Sequence, residues 1–354
     1  MNRRDFLHSI PALAIQTASP RPVRAALWGT EHSHTAGKLK VMKDSPFYEI
    51  AAVCESDPAA KARARENARF QGLNWVTEEQ LLNDKSIELI VVECSVWDAL
   101  RMGQMVISAG KHLHIEKPPG NSWELFKAMM EEARRKKLLV QTGYAWRHHE
   151  GVNAALNAAR KGWLGEVLQV RGTMNADRDA TQRSVEAKYK GGGLFELGGH
   201  IVDRTVGLLG RPTRVQSWLR HHTNIPDKLA DNNLTVLEFE KSLAVITQIA
   251  KMSGSGDHRS FEIIGTDGTF MVWPESNPPR MRVNLREAQG PYKAGWQDLT
   301  LGPQPRFAGD FQELARAITT GEPLRLSYDH ELLLHETLLR ASGELAEENV
   351  RERN

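Results

Sequence analysis

Apolar runs alternate with amphipathic segments through the first half of the chain. The run Ile87–Val92 shows no polar alternation, which is typical of a strand that is covered on both faces. The same pattern predicts further strands over Val23–Trp28, Tyr48–Cys54, His112–Ile115 and Leu138–Tyr144. Between the strands the same pattern predicts four helices. One covers Thr35–Lys43, one begins at Asp57, one ends at Gly110, and one covers Ser122–Lys137. Strands that alternate with helices predict a doubly wound, Rossmann-like parallel sheet over residues 22–144.

Strands follow one another without intervening helices through much of the second half. The strand-like segments are Glu166–Thr173, Val215–Arg220, Leu234–Phe239, Leu243–Ile249, Phe261–Gly265 and Thr269–Val272. Because no helix carries the chain back between them, we expect antiparallel neighbours. Residues 145–354 are therefore predicted to form a second domain. The polar stretch Met174–Lys190 is poorly periodic and is either a loop at the substrate site or a plain surface loop.

Length and composition agree with a folded protein of two domains. The chain has 354 residues, of which 40% are hydrophobic and 25% charged, and no apolar run is long enough to span a membrane. The formal net charge of +2 is spread along the chain, which disfavours a nucleic-acid partner. The only cysteines, Cys54 and Cys94, lie in apolar strand-like runs. We expect structural free thiols, with neither a disulfide framework nor a cysteine-rich metal site.

The first 19 residues have the features of an export signal. Arg3 and Arg4 precede a weakly apolar stretch, Ile10–Ile15, that contains small residues suited to cleavage. This predicts a twin-arginine signal over residues 1–19, periplasmic delivery of a folded protein, and no membrane anchor in the mature chain. The alternative is an N-terminus that merely holds two arginines, in which case the protein is cytoplasmic.

The turn after the first strand is a candidate dinucleotide site with an unusual sequence. Where a GxGxxG motif holds three glycines, this chain holds Gly29, Glu31 and His34. Gly29 still permits the tight turn, and the backbone N–H groups that begin the next helix still favour a pyrophosphate. A carboxylate at Glu31 is unfavourable beside phosphate unless it turns away. Further candidate donors to the phosphates are the side chains of Thr30, His32 and Ser33.

Glu55 ends the second predicted strand, where an acidic side chain accepts both ribose hydroxyls of NAD. Its negative charge repels the additional phosphate of NADP. Glu55 therefore predicts NAD rather than NADP as the cofactor. The alternative is an ordinary solvated residue in a turn.

A lysine follows the strand His112–Ile115 at the edge of the sheet where ligands of open α/β sheets bind. This residue is Lys117, and Pro118 and Pro119 stiffen the backbone immediately after it. A stiff backbone aims the ammonium group in one direction. Lys117 is therefore a candidate catalytic residue.

A glycine-rich segment in the second half leads into a predicted helix. Its three glycines at 191–193 let the backbone pass close to a flat ligand. Glu196, His200 and Asp203 follow at spacings of i, i+4 and i+7, which place them on one helical face. Two acids and a histidine on one face suit a tuned proton-transfer group. The alternative is an amphipathic helix with an ordinary polar face.

These segments together resemble the glucose–fructose oxidoreductase, inositol dehydrogenase and MocA-like family. The resemblance rests on Glu116-Lys117-Pro118 and on the glycine-rich segment ending in Glu196, His200 and Asp203, and it spans about residues 22–345. Further matching segments are Gly143-Tyr144 with Arg147, Gly162–Val167, Gly265–Gly268, Phe307–Thr319 and Tyr328–Gly343. It implies a Rossmann domain followed by an α/β domain with a large, mainly antiparallel open sheet. It also implies a homo-oligomeric oxidoreductase that uses NAD or NADP on sugars, polyols and related compounds.

The resemblance carries roles onto individual residues. Lys117 matches the active-site lysine, His200 matches the catalytic histidine, and Glu116 joins Lys117 among the expected cofactor contacts. Glu196 stands where the family usually has aspartate, so we expect an orienting carboxylate on a slightly longer side chain. The expected substrate contacts are Arg147, Tyr189 and Asp203. The chain departs from the family pattern at Glu31, His34 and Cys94–Trp97, which border the expected cofactor cleft.

Pairs of histidines raise the question of a metal site. The pairs are His32 with His34, His112 with His114, His148 with His149, and His221 with His222. None belongs to an HExxH motif or a cysteine-rich framework. We therefore predict no catalytic metal.

The leading hypothesis is an NAD-dependent enzyme that oxidises a hydroxyl group of a sugar or polyol. His200 takes the hydroxyl proton while hydride leaves for the nicotinamide, and Lys117 stabilises the developing alkoxide. A second hypothesis is an NAD-using glycosidase or lyase with a closed redox cycle. A third is a non-catalytic sugar-binding protein on a Rossmann scaffold, because two motif glycines are missing.

Overall fold

The first half of the chain folds into one parallel sheet. The computed structural model describes residues 21–346, so the predicted signal at residues 1–19 lies outside the described residues. The strands are β1 (Val23–Trp28), β2 (Tyr48–Cys54), β3 (Trp75–Val76), β4 (Leu89–Val92), β5 (His112–Ile115) and β6 (Val140–Thr142). They lie in the order β3-β2-β1-β4-β5-β6, and every neighbouring pair is parallel. The predicted doubly wound, Rossmann-like sheet is confirmed.

Helices connect these strands and begin at residues that the sequence marks. They are α1 (Thr35–Asp44), α2 (Pro58–Glu66), α3 (Glu78–Asn83), α4 (Val96–Ser108) and α5 (Trp123–Lys136). Asp57 caps α2 by accepting a hydrogen bond from the backbone N–H of Ala60, and Pro58 lies in the first turn. Ser122 caps α5 in the same way. Because all six strands are parallel, their carboxyl ends meet at one edge, which carries the candidate site.

The second half forms a larger sheet. Its strands are β7 (Val167–Met174), β8 (Arg214–Arg220), β9 (Asn232–Glu238), β10 (Leu243–Ile249), β11 (Arg259–Gly265), β12 (Gly268–Trp273), β13 (Arg280–Leu285) and β14 (Gly295–Thr300). The order is β14-β13-β12-β11-β7-β10-β9-β8. Every neighbouring pair is antiparallel except β7 with β10. The expected large, mainly antiparallel sheet is confirmed.

Helices cover one face of the second sheet. The helices of this half are α6 (Glu150–Arg160), α7 (Ala180–Glu186), α8 (Gly193–Leu197), α9 (Gly199–Leu209), α10 (Ala308–Thr320) and α11 (Tyr328–Ala341). Helix α6 packs on β11 and β12, α9 on β7, and α11 on β8. On the opposite face Val236 and Val245 are only partly buried, and Trp218 is 38% exposed. Among residues 21–346, no helix is both long and apolar enough to cross a membrane.

Helix α10 returns to the first domain although it follows the second sheet in sequence. Phe311 and Leu314 are buried in one hydrophobic cluster with Val23 and Leu27 of β1. The Tyr48 hydroxyl donates a 2.7 Å hydrogen bond to the Phe311 carbonyl. The two halves of the chain therefore share part of one hydrophobic core.

Some elements were not expected from the hydrophobic pattern. Strands β3 and β14 lie at sheet edges, and β13 lies next to the edge strand β14, where exposed side chains such as Arg280 and Arg282 obscure the strand signal. The expected loop Met174–Lys190 contains helix α7, so that expectation was wrong for its middle part. A reciprocal capping box of Asp179 and Gln182 fixes where α7 begins. This local signal outweighs the weak apolar periodicity of the segment.

Candidate active site

The turn after β1 has the geometry of a dinucleotide-binding turn. Gly29 has φ +94°, which glycine adopts without strain. A Cβ at this position would lie 2.6 Å from the carbonyl oxygen of Glu93, so no other residue fits without a shift. A cavity of about 200 Å³ lies beside the turn. Its lining includes Thr30, His32, Ser33, Thr35, Arg63 and Asn67.

Glu55 reaches this turn from the end of β2. Its Oε2 accepts hydrogen bonds of 2.8 Å from both the backbone N–H and the hydroxyl of Thr30. Glu31 turns away toward Arg63, with 3.8 Å between Oε1 and Nη2, which removes the expected conflict with a phosphate. Gly29, Thr30 and Glu55 therefore present a turn that fits a dinucleotide, with an acidic group at the position expected for the adenosine ribose.

His34 replaces the third motif glycine and turns back into the protein. Its Nδ1 lies 3.1 Å from Oε2 of Glu116, and Arg306 donates to its Nε2 at 3.0 Å. Burial lowers the pKa of His34, so the ring is neutral at neutral pH. The imidazole thus joins the dinucleotide turn to the Glu116-Lys117 segment instead of crowding the start of α1.

A buried lysine lies beneath the same turn. The ammonium of Lys38 donates to Glu93 at 2.6 Å and to Glu116, and lies 2.9 Å from His114 Nε2. This positive charge holds the pKa of Glu116 well below its usual value, whereas burial raises the pKa of Glu93 to about 8. No pattern in the sequence predicted this cluster, because its members come from three separate places in the chain: helix α1, the end of β4, and β5 with the residue that follows it.

The histidine pair His32 and His34 brings metal-ligand atoms near Glu116. One atom from each residue lies within 4.8 Å of the others. The Lys38 ammonium already neutralises Glu116 and would repel a second cation there. The arrangement therefore has the composition of a metal site but an electrostatic environment that opposes one.

Lys117 and Glu196, predicted from distant segments, are in direct contact. Lys117 Nζ donates to Glu196 Oε1 at 2.6 Å and to the Glu196 carbonyl at 3.0 Å. The Lys117 side chain is almost fully buried, and that of Glu196 is partly exposed. The short helix α8 thus presents a carboxylate to the lysine that follows β5.

His200 lies one turn farther along, at the start of α9. Its ring packs against Tyr144 at 5.4 Å and Trp146 at 5.7 Å between centroids. Within residues 21–346, neither His200 Nδ1 nor the buried Tyr144 hydroxyl has a hydrogen-bond partner. Burial and the charge of Lys117 lower the pKa of His200 well below its usual value. The imidazole is therefore neutral, and one of its ring nitrogens carries a lone pair.

Asp203 does not join His200, although the two share a helix. It bonds instead with Arg147 at 2.9 Å and with His330 at 2.7 Å. Arg147 also donates to Glu331 at 2.6 Å; Arg147, Asp203 and Glu331 are buried, and His330 is partly buried. Two of the expected substrate contacts thus pair with each other and tie α9 to α11.

Tyr189, the third expected substrate contact, lies nearer the catalytic groups. Its ring packs on Phe195 at 4.8 Å, next to Glu196 in sequence, and stacks on Trp97 at 5.0 Å. Trp97 belongs to the segment that departs from the family pattern and is 49% exposed. A Cβ at any of the glycines 191–193 would collide with protein atoms, among them atoms of Ser342, Ala230 and Gln248, so these glycines permit close packing within the protein.

Several charged residues near these groups were missed by the sequence analysis. Arg178 pairs with buried Glu186 at 2.6 Å, and burial raises the pKa of Glu186 to about 7. Arg259 begins β11, and Arg306 lies in the segment before α10, close enough to His200 that its charge helps to lower the pKa of that histidine. The Asp179–Gln182 capping box was the available signal for α7 and hence for Glu186 at its end, whereas nothing local marks the two later arginines.

Two family models match the chain. The model described as an oxidoreductase family with an NAD-binding Rossmann fold matches residues 23–144. The model described as the GFO/IDH/MocA C-terminal domain matches residues 152–271. The two matches fall on the parallel sheet and on the first part of the antiparallel sheet.

Individual proteins agree with these matches. An uncharacterised oxidoreductase of Schizosaccharomyces pombe is 26% identical over 78% of this chain and 76% of its own length. The scyllo-inositol 2-dehydrogenase (NAD(+)) of Bacillus subtilis is 27% identical over 62% of this chain and 65% of its own length. The crystal structure of an Agrobacterium radiobacter oxidoreductase in complex with NAD+, L-tartaric acid and magnesium covers 91% of this chain and 96% of its own. Its TM-score is 0.76 at 17% identity, which shows the same fold.

Proposed function

The chain belongs to the GFO/IDH/MocA family of NAD-binding oxidoreductases, and from this premise we propose that it oxidises a hydroxyl group of a sugar, polyol or related compound. The observation that carries the proposal is the contact of Lys117 with Glu196 beside a neutral, buried His200. A neutral imidazole accepts a proton, and an ammonium stabilises an alkoxide. These are the two groups that oxidation of an alcohol requires of the protein.

Each residue has a distinct part in this chemistry. Bound NAD supplies the hydride acceptor. His200 removes the hydroxyl proton, and Lys117 donates a hydrogen bond to the oxygen as its negative charge develops. Glu196 orients the Lys117 ammonium through the 2.6 Å contact. The rings of Tyr144 and Trp146 exclude water from His200 and fix its plane.

We propose that NAD is preferred over NADP. Gly29 and Thr30 would hold the dinucleotide at the turn, and Glu55 would accept the adenosine ribose hydroxyls. The Glu55 carboxylate opposes the additional phosphate of NADP. Arg63, which lines the same cavity, is engaged by Glu31 at 3.8 Å.

We further propose a homo-oligomer assembled through the open face of the second sheet. Val236 and Val245 are neighbours across β9 and β10, and Trp218 lies on the same face. Partly buried apolar side chains on a broad sheet face gain stability when a second sheet covers them. Export by the twin-arginine route is also part of the proposal, supported by Arg3 and Arg4.

The test combines cofactor binding with turnover. Protein purified from cells is denatured and assayed for released dinucleotide, and intact protein is then assayed for NADH formation on a panel of sugars and polyols. We expect bound or bindable NAD and activity on at least one compound. Lys117→Ala and His200→Ala should each lower kcat by about 100-fold or more with little change in NAD affinity. Lys127→Ala, an exposed lysine on α5, is the matched control.

Other outcomes separate the alternative functions. Stoichiometric NAD(H) that stays bound, with no turnover of free NAD, would favour a closed redox cycle. Failure to bind any dinucleotide would contradict the proposed function and favour a sugar-binding scaffold. Unchanged turnover in both variants would exclude Lys117 and His200 as the catalytic pair.

A further inference from the structure

Three arginines converge on the catalytic groups from separate parts of the second domain. Arg178 follows β7, Arg259 begins β11, and Arg306 precedes α10. Arg259 pairs in register with Met174 at the end of β7, so Arg178 and Arg259 leave the same end of two neighbouring strands. The Arg259 Nε also donates to the carbonyl of Asn175 at 2.9 Å. The strand register therefore places two of the three arginines, Arg178 and Arg259, at the same end of the sheet.

Contacts connect these arginines to the catalytic residues. Arg259 Nη1 lies 4.0 Å from Glu275, whose other oxygen accepts a 3.0 Å hydrogen bond from Trp146. Trp146 packs against His200. From the other side, Arg306 donates to His34, which contacts Glu116 beside Lys117. Arg259 is thus linked to His200 through Glu275 and Trp146. Arg306 is linked through His34 to Glu116, the neighbour of Lys117.

The charges in this cleft do not balance. Lys117 pairs with Glu196 at 2.6 Å, and Arg178 pairs with Glu186 at the same distance. In the described part of the chain, Arg259 has one carboxylate near it, that of Glu275 at 4.0 Å. Arg306 is exposed, and within residues 21–346 it contacts no carboxylate, only the neutral ring of His34 and the face of Phe307. At least one positive charge is left over, because burial raises the pKa of Glu186 to about 7 and this carboxyl is therefore only partly ionised at neutral pH.

The charge of Arg259 is the costly one in the protein alone, because Arg306 is exposed to water whereas Arg259 is partly buried. Arg259 is only 20% exposed at its side chain, and burial together with the nearby charges of Arg178 and Arg306 lowers its pKa. Like charges held together in a partly buried cleft repel one another unless an anion joins them. The planar guanidinium group of arginine also matches the geometry of a carboxylate, because it offers two parallel N–H donors.

We propose that the hydroxyl compound oxidised at this site carries a carboxylate, making the substrate class sugar acids, and that Arg259 and Arg306 bind that carboxylate. The inference rests on the proposed function and narrows its substrate. Two planar guanidinium groups suit a planar carboxylate, and a phosphate monoester, with nearly two negative charges, is the competing anion that the experiment tests. Neutral sugars and polyols would leave the surplus uncompensated.

The experiment measures binding by calorimetry on the NAD-saturated protein, independently of turnover. Matched probes are D-glucose with D-glucuronate, D-galactose with D-galacturonate, and D-glucitol with D-gluconate, and glucose 6-phosphate serves as the phosphate probe. We expect at least one acid to bind about tenfold or more tightly than its neutral partner. Arg306→Gln and Arg259→Gln should each remove most of that preference. Arg282→Gln, which removes an exposed arginine on β13, is the control and should leave the preference intact.

The possible failures point to different conclusions. Equal or weaker binding of every acid, or equal effects of Arg306→Gln and Arg282→Gln, would overturn the proposal. A preference for the sugar phosphate would overturn the choice of a carboxylate. The affinity of Arg306→Gln for NAD is also measured without sugar. If it falls as much as the affinity for the acid, Arg306 is assigned to the cofactor instead. An acid that binds but is not oxidised would contradict the proposed function and leave the anion site standing.

Discussion

Replacing Lys117 with alanine tests the chemistry of the site most directly. The variant removes the ammonium that donates to Glu196 at 2.6 and 3.0 Å and that would donate to the substrate oxygen. Loss of one donor to a developing oxyanion costs about 2.7–4 kcal/mol in the transition state, or roughly 100- to 1,000-fold in kcat. The change also leaves the Glu196 carboxylate without its partner beside the reacting oxygen. Like-charge repulsion therefore adds to the loss.

The same variant makes a second, independent prediction about pH. The charge of Lys117 lowers the pKa of His200, so its removal raises that pKa. His200 must be neutral to accept a proton, and it becomes protonated as pH falls through its pKa. The acid limb of the kcat profile should therefore move to higher pH in Lys117→Ala. If the variant only disturbed the structure of the segment after β5, kcat would fall but the acid limb of the profile would not move.

The assay is steady-state NADH formation across pH, with NAD affinity measured separately by fluorescence titration. Adding Glu196→Gln to Lys117→Ala removes the unpaired carboxylate, so we expect about tenfold recovery, roughly 1.4 kcal/mol. Full NAD binding with wild-type kcat in Lys117→Ala would refute the role of the lysine. An acid limb that stays in place would refute the electrostatic coupling to His200.

Four further changes test other parts of the molecule. Glu196→Asp keeps a carboxylate near the lysine, so kcat should stay within about tenfold of wild type in the same assay; a larger loss would contradict a purely orienting role. Glu55→Gln should raise the affinity for NADP relative to NAD in titrations, and tighter NADP binding by the wild type would contradict the assignment. Arg147→Ala leaves the buried carboxylate of Glu331 without its cationic partner, whereas Asp203 keeps Arg204 and His330, and it should lower the free energy of unfolding in urea by about 3–5 kcal/mol. Replacing Arg3 and Arg4 together by lysine should keep the full-length chain in the cytoplasm on cell fractionation, whereas equal periplasmic amounts would end the export proposal.

Local patterns in the sequence determined the architecture and the first catalytic candidates. Unbroken apolar runs such as Ile87–Val92 between helices predicted the parallel sheet, because burial on both faces removes polar positions from a strand. Lys117 was found because it follows a strand, and His200 because it follows a glycine-rich helix start. Such signals depend on residues within a few positions of one another, and the sequence contains them directly.

Only the tertiary structure decided how these groups are paired and charged. The sequence put Glu196, His200 and Asp203 on one face, yet Glu196 contacts Lys117, and Asp203 is engaged by Arg147. The convergence of Arg259 and Arg306 on the catalytic cleft likewise has no local signal. These partners are far apart along the chain, and their meeting depends on how two sheets and the returning helix α10 pack together. Periodicity reports which side of an element is buried, but not which distant side chain it will meet.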